Sequence, residues 1–432
     1  MNNDIKWAIE TVTENLSRYA TPRAYYRGKQ PLAFAGEKFR EAFGKHFRAF
    51  SENNCPRIVA TVKDRLIVDG FMKTGEGASP DMDARLGEIW RRNRMKVRAK
   101  QVHQDALIEG DAYVIAWPST STGLTTLYPN RAEMVAVTYH DEEPGYIVRA
   151  GKVWIGADKK PRVNLFYPDR VEKYVSTQQH GDGAGSMRAE SFVPVPDEDE
   201  WPLVNPYGAV PVFHFANRAS IGERGVSELA EALPLSDALN KNNADLIIAQ
   251  EFYAIRQRWA TGIEAFDGKP KPGGIWSVED GDVKFGEFNA SDISQFVETG
   301  NMWRSTIARV SRTPDHHFSS GGQIPSGEAL KMLDAPLVAK VTDAQDSWGM
   351  VWGDVMRFAL RIEGTENAPE VETIWRDTTP RNEAELVEIA TKKADLGVSE
   401  EQNLRELGYS AEDVEKMREQ RRTQDIIPDV MQ

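Results

Sequence analysis

Residues 326–362 read SGEALKMLDAPLVAKVTDAQDSWGMVWGDVMRFALRI, and the spacing of their apolar side chains decides the fold. Leu330, Leu333, Leu337, Val341, Ala344, Trp348, Val351, Val355, Phe358 and Ile362 alternate by three and four residues. That is close to a 3.5 repeat, and it predicts one helix of about 55 Å at a rise of 1.5 Å per residue. Ser326 stands where a helix N-cap belongs. Pro336 lies inside the pattern, and its ring opposes the carbonyl one turn back, so a bend is expected there.

Upstream of this helix, residues 313–325 form a loop containing Ser319-Ser-Gly-Gly-Gln323. Two further helices are expected over Ser227–Trp259 and Asp292–Arg312, with Ser291 or Asp292 as the second one's cap. Leu239–Leu246 within the first is too polar for a buried core helix and suits one packed on a single side. The helices flank a Gly/Pro-rich insertion with strand-like pieces at Gly274–Val278 and Val283–Phe288. Further back, Ala112–Trp117, Met134–Tyr139, Tyr146–Ile155, Val163–Tyr167 and Val210–Phe215 are short Val/Ile/aromatic runs with Pro and Gly between them. They predict an antiparallel β unit inside an otherwise helical chain. Gln178–Arg188 reads as a loop or long hairpin tip. Residues 1–108 read as mostly helical, with apolar spacing at Ile5, Ala8, Ile9 and Val12, over Asn54–Leu66 and over Asp81–Leu107. Beyond Gly364 two short helices are expected, Arg381–Leu396 and Ala411–Arg422. Residues 365–432 hold 17 acidic and 9 basic side chains.

The chain has 432 residues, 53 Lys+Arg against 66 Asp+Glu, and a formal charge of −13. That length accommodates two or three structural units. One cysteine, Cys55, excludes a disulfide framework and fits assembly in a reducing cytosol; its expected place is the core. No apolar run is long enough to span a bilayer, and the first residues lack signal-peptide blocks. The acidic excess argues against a protein that grips nucleic-acid phosphates over its whole surface. The basic run Arg91–Lys100 reads as a solvated helix face.

The chemistry of a self-contained active site is missing from the sequence. Gly322-Gln-Ile-Pro-Ser-Gly327 has the spacing of a phosphate loop, but Glu328 and Ala329 replace its Lys and Ser/Thr. There is no HExxH, GxSxG or CxxC motif. His316 and His317 are adjacent, and neighbouring histidines on an extended loop point apart, so no joint metal site is expected within one chain. Asp197-Glu-Asp-Glu200 reads as a solvated loop, since calcium ligands alternate with spacers. Neither a cofactor nor a catalytic residue is assigned.

Seven blocks, taken in order and spacing, resemble the portal proteins of tailed bacteriophages. They are Asn54–Phe71 (NCPRIVATVKDRLIVDGF), Gly110–Val114 (GDAYV), Pro211–Arg218 (PVFHFANR), Gly225–Glu228 (GVSE), Pro234–Asn240 (PLSDALN), Gln257–Gly262 (QRWATG) and Pro325–Lys331 (PSGEALK). The resemblance covers most of residues 40–364. It implies an α+β, helix-rich portal fold with a mixed α/β wing, two-helix stem, small α/β clip, long kinked helix and helical crown. On that plan residues 1–226 are wing, 227–259 the first stem helix, 260–290 the clip and 291–312 the second stem helix. Residues 313–325 become the channel loop, 326–364 the long helix kinked at Pro336, and 365–432 the crown.

The resemblance further implies a ring, usually of twelve copies, at a capsid vertex, assembled in the host cytoplasm. Double-stranded DNA is packaged and ejected through its channel. The terminase large subunit and then head-completion (adaptor) proteins dock on it, beside major capsid and scaffold proteins, with no membrane partner. The channel-loop residues are His316, His317, Phe318, Ser319, Ser320, Gly321, Gly322 and Gln323, a segment without Lys or Arg. Lys269, Lys271 and Trp276 are the candidate terminase contacts of the clip. A strongly basic bore would brake a sliding duplex, so the acidic balance excludes a clamp and is compatible with a conduit. The rival readings are a phage-encoded metal-dependent nuclease or hydrolase, an ATPase motor lacking its nucleotide loop, and an oligomeric scaffold unrelated to DNA.

Overall fold

The computed structural model describes residues 2–30, 51–74, 79–181, 187–195, 201–254, 258–262, 282–287, 293–318, 326–378, 383–407, 409, 414 and 416–418. The chain divides into a unit of residues 1–378 and a second unit of residues 379–432.

In the first unit the helices before the β region are α1 (Asn2–Tyr26), α2 (Cys55–Lys63), α3 (Pro80–Arg92) and α4 (Met95–Glu109), with strand β1 (Val68–Lys73) after α2. The β region follows as β2 (Asp111–Pro118), β3 (Thr125–Arg131), β4 (Val135–Tyr139), β5 (Ile147–Ile155), β6 (Pro161–Phe166), β7 (Arg170–Ser176), β8 (Phe192–Pro194), β9 (Leu203–Val204) and β10 (Val212–Ala216). Then come α5 (Leu233–Ala254), β11 (Arg258–Thr261), β12 (Lys284–Glu287), α6 (Ser294–Val310), α7 (Gly327–Ile362) and β13 (Val371–Trp375). The protein is a helix-rich α+β chain, as its sequence indicates.

The β region is antiparallel throughout, but it forms two sheets rather than one. A sheet in the order β4-β5-β6-β7-β8 has β9 added on β7, and a separate three-stranded sheet has the order β10-β2-β3. Helix α1 lays Ile5, Ala8, Ile9 and Val12 on the larger sheet, against Val153, Val163, Leu165 and Tyr174. The central core gathers α2, α3, α4, β2 and the second half of α7.

Several boundaries differ from the sequence reading, each for a local reason. The expected helix Asp81–Leu107 is two helices. The Asn93 amide donates to the carbonyls of Ile89 and Thr125 and its oxygen accepts from Leu127 N, while Arg94 takes a φ of 55°. That break turns Val97, expected on the apolar side, outward to 63 % exposure. The helix expected over Ser227–Trp259 begins at Leu233, not Ser227, and ends before Trp259, which lies in β11. Pro234 has no N–H and fits only the first turn, and residues 227–228 are held instead by the end of α4. Strands β1 and β13 were not anticipated; they pair with each other across almost the whole unit, so residues 371–375 belong to a sheet and not to a run of C-terminal helices.

Helix α7 is capped as expected, with Ser326 Oγ accepting from Ala329 N at 3.3 Å. It continues through exposed Pro336, whose ring forgoes the bond to the Met332 carbonyl. The single apolar stripe holds only in part: Leu333 is 52 % exposed, whereas Trp352, Met356, Ala359 and Leu360 are buried off it. The first turns pack on one side, and from Trp352 to Leu360 most side chains are buried, Asp354 excepted. At Gly353 the strand comes so close that a Cβ would lie 2.3 Å from the Val371 carbonyl oxygen.

In the second unit α8 (Glu383–Asp395) is followed by a turn at Gly397, with φ near 90°, and by α9 (Glu400–Glu406). The helix at Glu400–Glu406 was not anticipated, and the described residues of the expected Ala411–Arg422 helix are helical. Of residues 411–422 only 414 and 416–418 are among the described residues.

The aromatic centre of the core makes a testable statement about acid. Trp352 packs against Trp90 and Phe215, with ring centroids 5.0 and 4.6 Å away. Its indole N–H donates to His103 Nε2 at 2.9 Å, and His103 Nδ1 donates to the Leu66 carbonyl at 3.2 Å. The ring is thus neutral, and complete burial pushes its pKa down from 6.5 to about 3. Protons bind the unfolded chain first, so this contribution is intact above pH 6.5. It is lost at about 1.4 kcal/mol per pH unit on acidification towards pH 3. His103→Gln is expected to lower stability at pH 7 by roughly 1–3 kcal/mol but to flatten the loss below pH 6.5 in urea unfolding curves. An unchanged slope would contradict this account.

Candidate functional site

Among the described residues, the candidate functional side chains lie near where α6 and α7 meet. Helices α5 and α6 are joined by the antiparallel pair β11–β12, in which Trp259 covers Gly286 so closely that a Cβ there would lie 2.3 Å from the ring. The polar middle of α5 is explained by amides that replace apolar packing. Asn242 Nδ2 donates to the Phe296 carbonyl at 2.9 Å, and Asn240 exchanges two bonds with the Glu52 backbone. The Glu52 carboxylate is held by Arg304 of α6 at 2.7 Å, which draws its pKa down against the effect of burial.

Three of the family-like blocks converge beside this helix pair. The backbones of Gly110 and Gly225 touch: a Cβ on Gly225 would lie 1.9 Å from the Gly110 carbonyl oxygen, and Gly110 itself has φ +93°. Asn217 N donates to that carbonyl at 2.7 Å, and Gly225 N to Asp111 Oδ1 at 2.8 Å. Asp111 Oδ1 also meets His214 Nε2 at 2.8 Å, and Oδ2 accepts from Tyr19 OH at 2.9 Å. Burial alone would raise the Asp111 pKa, but His214, Gly225 N–H and Tyr19 together hold it below the usual carboxylate value. This buried Asp–His pair stacks on Tyr113 and hydrogen-bonds Tyr139. It ties α1, β2 and β10 together and has no nucleophile aligned with it among the described residues.

Glu228, at the end of the same node, is 2 % exposed and faces Lys340 of α7, which is 6 % exposed. Lys340 Nζ donates to Glu228 Oε1 at 2.9 Å and to the Ser311 carbonyl, at the end of α6, at 2.5 Å. Burial pushes the ammonium below the usual lysine range even though Glu228 favours its charge. One ammonium therefore joins the node, the second helix of the pair and the long helix.

From Ser311 the chain turns through Arg312 (φ 50°) into a short 3-10 turn, Asp315–His317. The turn, unlike an extended loop, brings the two histidine rings side by side, with centroids 4.4 Å apart. Asp334 of α7, 6 % exposed, approaches from across: His316 Nε2 is 3.9 Å from its Oδ1. One ligand atom from each of His316, His317 and Asp334 lies within 4.8 Å of the others. Arg65 Nη2 is 3.4 Å from Asp334 Oδ2, and Arg57 bonds the His317 carbonyl. Burial, then His316, hold the His317 pKa below the ordinary histidine value.

Of the residues singled out from sequence, His316, His317 and Phe318 sit in this turn, Phe318 packed against the main core. Pro336 is on the exposed side of α7 two residues after Asp334. Ser319, Ser320, Gly321, Gly322, Gln323, Lys269, Lys271 and Trp276 lie outside the described residues, as do Asp197–Glu200, Ser291 and Asp292. Asp334, Lys340 and Glu228 were missed. The usable signal was a charged residue on the buried face of the long helix: Asp334 and Lys340 stand three residues before and after Leu337.

The comparisons with known proteins agree with this picture of the sequence. A family model described as "Phage portal protein, SPP1 Gp6-like" matches residues 5–426. The portal protein of Mycobacterium phage D29 is 26 % identical over 396 residues, covering 84 % of this chain and 77 % of that protein. The portal protein of Mycobacterium phage L5 is 24 % identical over 396 residues with the same coverage. Among solved structures, a chain from the neck of an empty GTA particle aligns with a TM-score of 0.48 at 14 % identity, over 86 % of this chain and 92 % of that one. A chain from the native gene transfer agent virion gives 0.47 at 14 % identity with the same coverage.

The Lys340 junction predicts a specific pattern of stabilities. Lys340→Met removes the closest charge partner of buried Glu228, leaving it Arg218 at 3.9 Å and the Asn217 amide at 3.4 Å, and is expected to cost about 3–5 kcal/mol. Adding Glu228→Gln removes the stranded charge and is expected to recover most of that loss. Urea unfolding of the two single variants and the double variant measures the coupling; simply additive losses would mean the two groups act independently.

Proposed function

Because the chain belongs to the SPP1 Gp6-like family of phage portal proteins, we propose that copies of it form a ring, dodecameric by family precedent, through which double-stranded DNA enters and leaves a capsid. The observation that carries this reading is the family match along residues 5–426, nearly the whole chain. The ring occupies one vertex of a virion assembled in the host cytoplasm, alongside major capsid and scaffold proteins. The terminase large subunit docks during filling and head-completion proteins replace it afterwards.

The order of elements supports the assignment of parts. Helices α5 and α6 are the stem and β11–β12 the root of the clip. Residues 313–325 are the channel loop, and α7, which runs unbroken through Pro336, is the long helix behind it. The formal charge of −13 per chain suits a bore that does not hold phosphate. The protein acts as a structural conduit rather than as an enzyme. The one metal-like group among the described residues offers a single carboxylate, whereas two-metal phosphodiester hydrolysis needs several, so it does not favour a two-metal nuclease.

Negative-stain images of the purified protein are expected to show rings with a central hole. A compact monomer that cleaves DNA in the presence of a divalent metal would overturn the proposal. Deletion of residues 266–273, within the proposed clip, is expected to abolish terminase docking in a pull-down and leave rings intact. Loss of rings instead would make that segment an assembly element.

A further inference from the structure

We propose that His316, His317 and Asp334 bind one divalent transition-metal ion of the zinc class, pinning the turn after α6 to the long helix α7. The donor set comes from two elements 17 residues apart in sequence, and all three ligand atoms fall within 4.8 Å of one another. Two of those side chains are incompletely satisfied by protein. Asp334 Oδ1 and His317 Nε2 are both buried and both lack a hydrogen-bond partner. Buried polar atoms are ordinarily paired, and an orphaned carboxylate oxygen facing an orphaned imidazole nitrogen is costly unless something lies between them.

The geometry favours a metal ion over a direct bond. At 3.9 Å, His316 Nε2 and Asp334 Oδ1 are beyond hydrogen-bond range. Zinc bonds of 2.0–2.1 Å place tetrahedral ligands about 3.4 Å apart, so the group needs to close by at most about 1.4 Å around an ion. His316 is on the exposed side of the turn and His317 is half-buried, which leaves side-chain rotation free to supply that closure. Arg65 engages the other carboxylate oxygen, Oδ2, and so turns Oδ1 towards the imidazoles. Outer partners of this kind orient the ligands of metal sites.

The chemistry of the donors selects the ion. Two neutral imidazoles with one carboxylate suit Zn²⁺ and its neighbours Co²⁺, Ni²⁺ and Cu²⁺. Mg²⁺ and Ca²⁺ require mostly oxygen. Three protein ligands leave a fourth position for water. Bound there, the ion fixes the start of the segment that leads into residues 319–325 to a helix anchored in the core by Lys340. The inference rests on three side chains of one chain and stands apart from the ring and from DNA passage.

The test uses tag-free, full-length protein, stripped with a chelator, dialysed and titrated with Zn²⁺ against a chromophoric competitor. One ion per chain is expected, with a raised melting temperature. The same site loaded with Co²⁺ should show visible d–d absorption from nitrogen and oxygen ligands. The double variant His316→Gln/His317→Gln, whose positions carry little of the core, is expected to keep the wild-type circular dichroism and lose at least about tenfold in affinity. Asp334→Asn should lose affinity similarly. Wild-type protein that binds no Zn²⁺, or a folded double variant that binds it with unchanged affinity, would overturn the proposal.

Discussion

A single buried ammonium ties the long helix both to the node around Glu228 and to the end of α6. Lys340 lies on the face of α7 that the hydrophobic stripe would otherwise occupy, between Leu337 and Val341, both fully buried. Removing such a charge from water costs several kcal/mol, and only close partners offset it. Glu228 Oε1 and the Ser311 carbonyl are those partners. Glu228 is itself fixed, because its backbone N–H donates to Leu107 O at 2.8 Å. A shift of α7 by one turn would move Lys340 about 5.4 Å and strand both charges. An apolar contact tolerates sliding; this one specifies a register.

The same logic explains which parts of the fold could be read in advance. Elements that obey one period and meet one partner were legible: α1 on its sheet, the Ser326 cap, and the alternating strands of the β region. Elements defined by distant partners were not. Strand β1, with Gly70 and poor alternation, becomes a strand because Val371–Trp375 arrives from about 300 residues later. The end of α3 depends on Asn93 reaching β3, which no local pattern around residue 93 announces. The polar stretch of α5 was recognised as unfit for a core, yet Asn240 and Asn242 are buried, because each amide finds a backbone group on a neighbouring segment.

The candidate site was half legible for a related reason. His316 and His317 stand out as a pair, but whether they diverge or converge depends on the backbone, and a 3-10 turn makes them converge. Asp334 is invisible to a stripe that counts only apolar residues, and its burial follows from α7 turning that face towards Arg65 and the histidine turn. By contrast, the blocks Gly110–Val114, Pro211–Arg218 and Gly225–Glu228 were recognised as a set without knowing that they touch. The Gly110–Gly225 contact explains the glycine in two of these blocks: no Cβ fits between the two backbones.

The charge distribution connects this architecture to the proposed conduit. Residues 379–432 carry 13 acidic and 8 basic side chains, so 54 residues hold −5 of the total −13. The remaining −8 is spread over 378 residues, where much of the basic content is already paired: Arg23 with Glu109, Arg304 with Glu52, Arg92 with Glu363. In the run Arg91–Lys100 the cations Arg91, Arg92, Arg94, Lys96 and Lys100 are exposed on α3 and α4 and at the break between them. Phosphate binding strengthens with each cation brought to the duplex and weakens steeply with salt. In the proposed ring, acid concentrated in one small unit and buried cations tied up in fixed ion pairs would offer sliding DNA few places to stop. On the proposed function the acidic excess and the buried pairs meet one requirement: the cations that hold the chain together must not also hold the DNA.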